Sequence, residues 1–137
     1  MMPTIMSNVF INSNIILYLL DTDLHKQKIA GEILLSNPTI SSQVLTEVAN
    51  VCKRKFKYSK EEVLRLWTDL LSDCQQVPTN ASTFHKAIQL VNRYKFQLFD
   101  AIIVASALEA NCTTLYSEDM QHQMVVENQL TIINPFL

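Results

Sequence analysis

The chain reads as one α/β domain with a central, mainly parallel β-sheet covered by helices on both faces. Three features carry that reading. Short runs of β-forming residues such as Val9-Phe10-Ile11 are too brief for a helix and unbroken by polar residues, which suits a strand buried on both faces. Between such runs lie stretches whose apolar residues recur at the helical period. Residues 98–110 are apolar almost all round, as expected of a helix buried against a sheet. Strands alternating with helices give a parallel sheet.

Each element has a local cause. After the run at residues 9–11, Asn12, Ser13 and Asn14 are all good N-caps, and the apolar residues behind them predict a short helix with Asn14 as its cap. Asp23 caps a helix through Ala30, Ile33 and Leu34 that Asn37-Pro38 stops. Residues 39–41 form a short strand, and Ser41 or Ser42 opens a helix with Val44, Leu45, Val48, Val51 and Cys52 on one face. Ser59-Lys60-Glu61-Glu62 is a capping box before an apolar stripe of Val63, Leu66, Trp67, Leu70 and Leu71. Residues 75–77 are a candidate strand. Asn80 caps a helix expected to turn Phe84, Ala87, Ile88 and Val91 inward. Residues 113–116 and 130–133 complete the strands.

Composition narrows the function. The 137 residues fit a single domain spanning residues 1–137, with its core at about 8–136, and contain no repeat or linker. Hydrophobic residues make up 48% and charged residues 18%, which is a globular balance. A net charge of -2 and a pI near 5.9 exclude a generally basic surface, so nucleic acid would need a local patch. A single glycine, Gly31, excludes phosphate-cradling loops and dinucleotide fingerprints. Apolar runs are too short to cross a bilayer, and the start MMPTIMSN has no secretion-signal pattern. Cys52, Cys74 and Cys112, odd in number and far apart, read as reduced, partly buried thiols of a cytoplasmic protein.

Four positions stand out chemically. Asn12 ends the first strand, Glu47 interrupts an apolar helix face, Asp100 lies in the first turn of the most hydrophobic helix, and Asp119 follows the strand near residue 116. Alone, each is an ordinary cap or solvated acid. Together they fall at strand ends and a helix start, which share the carboxyl edge of a parallel sheet. Like charges ~4 Å apart repel by about 4 kcal/mol at an effective dielectric of roughly 20, so acids converging there call for a cation. Oxygen ligands without His or Cys point to Mg2+ or Mn2+. Such an ion activates water and balances charge on a phosphodiester, which is the chemistry of a metal-dependent nuclease.

Four segments in order, VFINSNIILYLL, QVLTEVAN around Glu47, FDAIIVASA around Asp100 and LYSEDM around Asp119, resemble a PIN domain, specifically the VapC type of bacterial toxin ribonuclease. The resemblance covers about residues 8–136. Each motif is weak alone, and the four in this order are specific. It implies an α/β/α sandwich whose quartet of acids binds Mg2+ or Mn2+ and cleaves RNA, with Glu47, Asp100 and Asp119 catalytic. It also implies a homodimer and a VapB-like antitoxin that covers the site. The family pattern is Asp-x-Asn, and here an amide, Asn12, stands in place of the aspartate. Asn12 keeps a carbonyl oxygen for a metal but loses the charge and adds two donors. The substitution reads as one that disarms an active toxin. The alternatives are a naturally non-catalytic binding protein of this fold, and an RNA-processing nuclease that is not a toxin.

Supporting positions are less specific. Asn14 is a cap that also stands beside the metal site, and Ser117 either holds a water there or begins a turn. Lys53, Arg54 and Lys55 belong to the only dense basic run, which is either a solvated helix end or an RNA phosphate track. His122 reads as a surface residue and Trp67 as core. The helices within 42–72 offer an apolar face for a partner.

Overall fold

The computed structural model describes residues 8–137, and the start of the chain, read above for a secretion signal, lies outside the described residues at 1–7. Among the described residues six strands form one sheet: β1 (Val9–Ile11), β2 (Thr39–Ser41), β3 (Gln75–Val77), β4 (Thr114–Tyr116), β5 (Val125–Val126) and β6 (Leu130–Ile133). Their order is β3-β2-β1-β4-β6-β5. All pairings are parallel except β5 with β6.

Six helices fill the connections: α1 (Ser13–Leu17, continued by a 3-10 turn at Tyr18–Leu20), α2 (Leu24–Leu34), α3 (Ser42–Arg54), α4 (Lys60–Asp73), α5 (Ala81–Tyr94) and α6 (Leu98–Glu109). The chain steps from β1 outward to β2 and β3, then returns across the sheet to β4. Right-handed crossovers therefore put α1–α4 on one face and α5 and α6 on the other. The reversal lies between β1 and β4, whose carboxyl ends bound the crevice where ligands of such sheets bind.

The core is the sheet interior and the helix stripes facing it. Phe10, Ile11, Ile40, Leu115 and Ile132 of the strands are fully buried with Ile15, Val44, Val48, Leu90 and Val104 of the helices. Asp23, Ser41, Ser59 and Asn80 cap the helices they were expected to cap, and Ser59 with Glu62 closes a full capping box. Cys52, Cys74 and Cys112 are free and buried. Among the described residues, no helix is long and apolar enough to cross a membrane.

Three expectations need correction. In α5 the inward residues are Thr83, Ala87 and Leu90, whereas Phe84 and Ile88 are 50% and 59% exposed. The stripe was read one step round the helix, because Phe84 and Ile88 belong to an outer apolar face that α6 extends with exposed Leu98 and Phe99. In α4, Leu71 is half exposed while Val63 and Leu70 face the core. The third is β5, a two-residue strand that the sequence reading lacks. Its turn to β6 uses Glu127 and Asn128, both at positive φ, without the glycine that usually marks such a hairpin.

Candidate active site at the carboxyl edge of β1 and β4

The site is built from the polar triplet after β1. The Asn12 backbone N–H donates to Tyr116 O at 3.0 Å, carrying the strand pairing one residue past β1. The Asn12 side chain is buried, and its Oδ1 accepts from Ser13 N at 2.8 Å, which makes Asn12 the N-cap of α1. Asn14 is therefore not the cap. It lies inside the first turn, where its Nδ2 donates to Asp119 Oδ2 at 3.0 Å. The helix starts one residue after the strand ends, so the earliest of the three N-cap residues takes the role.

The other half of the crevice comes from the loop after β4. Ser117 is fully buried, and its hydroxyl accepts from Asn12 Nδ2 at 3.2 Å and from Asp119 N at 3.3 Å. The Ser13 N–H fixes which end of the Asn12 amide points where, since a flipped amide would face two donors together. Glu118, beside Asp119, is gripped from behind. Tyr18 OH donates to its Oε1, and Lys26 Nζ lies 2.9 Å from its Oε2. The same ammonium sits 4.5 Å from the Tyr18 ring centroid and 5.5 Å from that of Phe136, so the end of the chain covers the ion pair. Burial tends to raise the Glu118 carboxyl, but the hydrogen bonds from Tyr18 and Lys26 win and hold it below the ordinary range.

Glu47 and Asp100 come from opposite faces of the sheet. Glu47 sits one turn into α3, and its Oε2 accepts from Ser13 Oγ at 3.1 Å. Its other oxygen, Oε1, is buried without a hydrogen-bond partner. Gln43, one turn earlier, donates to Phe99 O at 3.2 Å and thereby ties the start of α3 to the start of α6. Asp100 follows Phe99, half-buried, and its carboxyl is pushed up by burial, then by the charges of Asp119 and Glu47. Three acids thus share one electrostatic neighbourhood. A cleft of about 460 Å³ lined by Gln43, Thr46, Glu47, Asn50 and Phe99 opens beside them.

A hard divalent cation fits this arrangement. The donors are oxygens, the Glu47 Oε1 is left without a partner, and burial followed by repulsion from Asp119 and Glu47 raises Asp100. Among the described residues no three acidic, histidine or cysteine side chains close into a ready-made cluster, so an ion would draw the carboxylates inward. Lys53 and Arg54 occupy the last turn of α3, where their charge suits the helix dipole, and Lys55 lines a cavity beside Asn14. His122 is half-buried and its Nδ1 accepts from Asn134 N at 3.0 Å, so it anchors the chain end. Trp67 donates to Leu45 O, joining α4 to α3.

The PIN domain family model matches residues 9–126. The chain belongs to the PIN-domain family. No curated protein matches the sequence. Among solved structures, the PIN domain is similar to a toxin–antitoxin complex from Klebsiella pneumoniae at 20% identity and a TM-score of 0.71, covering 93% of this chain and 97% of that one. It is similar to VapC20 of Mycobacterium tuberculosis, a sarcin-ricin loop cleaving toxin, at 16% identity and TM-score 0.64, covering 81% and 89%. VapBC2 from Rickettsia felis, bound to a DNA fragment of its promoter, matches at 23% identity and TM-score 0.63, covering 90% and 96%. Identities this low establish a shared fold.

Several contributors to this PIN-domain site escaped the sequence reading. Ser13 was legible only as a possible cap, yet it holds Glu47. Tyr18 lies four residues after Asn14, so the two share a helix face toward the loop after β4, a spacing the sequence did offer. Lys26 had no local signal at all, because its partner Glu118 is 92 residues away.

Proposed function

We propose that this PIN domain is the toxin of a toxin–antitoxin pair, a cytoplasmic Mg2+- or Mn2+-dependent endoribonuclease disarmed by the amide of Asn12. The observation that carries the reading is the convergence of acids at the edge where β1 ends: Ser13 Oγ holds Glu47 and Asn14 Nδ2 holds Asp119, while burial and then the charges of those two acids raise the Asp100 carboxyl. Glu47, Asp100 and Asp119, with the Asn12 oxygen, are the proposed metal ligands. A divalent ion held there supplies an activated water and offsets the charge of the scissile phosphodiester. Ser13 orients Glu47, Asn14 orients Asp119, and Ser117 ties the loop after β4 to the end of β1. Lys53, Arg54 and Lys55 are the proposed phosphate track for RNA.

An antitoxin partner is supported by the fold shared with proteins of toxin–antitoxin complexes. The proposed homodimer surface is the outer face of α5 and α6 rather than the helices within 42–72. That face carries exposed Phe84 and Phe99 rings together with a groove of about 390 Å³ lined by Ala87, Val91 and Ile102. A ring and a groove on one patch are self-complementary about a two-fold axis.

The bonds of Asn12 bear on the non-catalytic alternative. Asn12 and Asp119 N both donate into Ser117 Oγ, and no acceptor among the described residues takes the Ser117 proton. An aspartate at position 12 accepts that proton and keeps the cap on Ser13 N, so the hydrogen bonds around the position accommodate a carboxylate, whose charge then calls for the metal. The test compares Asn12→Asp with the parent chain for RNA cleavage and Mn2+ binding. Gain of both supports the nuclease, and gain of neither leaves the binding-protein reading.

A further inference from the structure

We propose that the cavity between α1 and the C-terminal end of α3 is a nucleobase subsite that takes a base with an exocyclic amine. It rests on the nuclease reading and deepens it by naming which part of the RNA is read. The cavity measures about 170 Å³ and is lined by Asn14, Leu17, Tyr18, Asp21, Val51, Lys55 and Phe56. Pockets for drug-sized ligands run to roughly 300 Å³ or more, so a single planar base is the better match.

Its position follows from α3. Val51 and Lys55 lie four and eight residues beyond Glu47, so they continue the same helix face away from the acids. Each step is about 6 Å along the axis, within reach of one nucleotide. Asn14 belongs to both places, since its Nδ2 holds Asp119 while the residue lines the cavity. A strand whose phosphate lies at the acids therefore brings a neighbouring base to this cavity.

The lining offers the parts that hold a base. Phe56 is half-buried and lends its ring to the lining, with Lys55 Nζ over it at 5.6 Å from the centroid, so a base that stacks there displaces the ammonium toward phosphate. Asn14 Oδ1 is buried and accepts no hydrogen bond. Asp21 adds a second acceptor, its carboxylate fixed by the N–H groups of Thr22 and Asp23 at 2.6 and 3.3 Å. Two acceptors favour an amino group, as on adenine or cytosine, and disfavour the O4 carbonyl of uracil.

The test is an NMR titration of the full chain with adenosine, cytidine and uridine 5′-monophosphates and with ribose 5-phosphate. The expected result is shifts concentrated at Asn14, Val51, Lys55 and Phe56, with uridine monophosphate about fivefold weaker than the better amino-bearing nucleotide. Phe56→Leu, which keeps apolar volume but removes the stacking face, should weaken binding while leaving the melting temperature near that of the parent. Equal responses to ribose 5-phosphate, or none at these residues up to millimolar nucleotide, overturn the proposal. So does unaltered binding by Phe56→Leu, or a cavity that responds only to antitoxin peptide. Cleavage by Asn12→Asp is scored separately. Cleavage with a silent cavity sinks the subsite alone, and nucleotide shifts without cleavage sink the catalytic reading alone.

Discussion

The side-chain amide of Asn12 donates to the Ser117 hydroxyl across 3.2 Å, joining the ends of two adjacent strands whose residues stand 105 apart in sequence. The bond has the wrong polarity for an acidic site. Asn12→Asp reverses it, with Ser117 donating to the new carboxylate. In EDTA the variant should melt a few degrees below the parent, because a fourth like charge joins Glu47, Asp100 and Asp119. With Mg2+ or Mn2+ it should melt above its metal-free form by more than the parent does, and cleave RNA. Thermal melts and a cleavage assay check both, and equal metal responses in the two chains would remove Asn12 from the ligand set.

Asp100 is expected to cost the metal-free protein stability at neutral pH. Burial and the charges of Asp119 and Glu47 raise its folded pKa above 3.8, so the folded state binds the proton more tightly than the unfolded chain. Its contribution is therefore most favourable in acid and is lost as pH rises through the folded pKa. Asp100→Asn should raise the melting temperature in EDTA at pH 7, with the gain shrinking toward pH 4. In the Asn12→Asp background it should abolish metal stabilisation and cleavage. Melts across pH with and without Mn2+ read both effects.

Glu118 has the opposite sign. Although burial opposes it, donation from Tyr18 and Lys26 lowers its folded pKa below the usual 4.5, so its stabilisation is present above that value and fades as pH falls through the folded pKa. Glu118→Gln should lower the melting temperature modestly at pH 7 and have little effect near pH 3. Because the pair fixes the loop holding Asp119, hydrogen exchange at residues 117–119 should accelerate. Unchanged exchange would reduce the pair to a surface contact.

The outer face of α5 and α6 carries the homodimer prediction. Ile88→Lys places a charge on a residue that is 59% exposed, so stability should change by only about 0.5 kcal/mol or less. Light scattering at micromolar concentration should show a dimer for the parent and a monomer for the variant. A dimer in both would place the interface elsewhere.

What the sequence determined by itself was local. Runs of β-forming residues gave the strands at 9–11 and 130–133, short segments between helices gave the candidate strands at 39–41 and 75–77, and polar caps at Asp23, Ser41, Ser59 and Asn80 gave the helix starts. Those choices are made within a few residues, by propensity and by the first hydrogen bond of a helix. Motif order singled out Glu47, Asp100 and Asp119 as the proposed metal ligands. The tertiary structure decided the rest. Periodicity marks an apolar stripe without saying which neighbour covers it, so Phe84 and Ile88 were turned inward on paper and face outward in the fold. Asn14 and Asn12 are equivalent caps in sequence, and only the point where β1 stops pairing with β4 assigned the cap to Asn12 and freed Asn14 to hold Asp119. Lys26 with Glu118, and Ser13 with Glu47, became partners because sheet topology brings distant segments to one edge, and the free energy of such pairs depends on that meeting rather than on any neighbour in the chain.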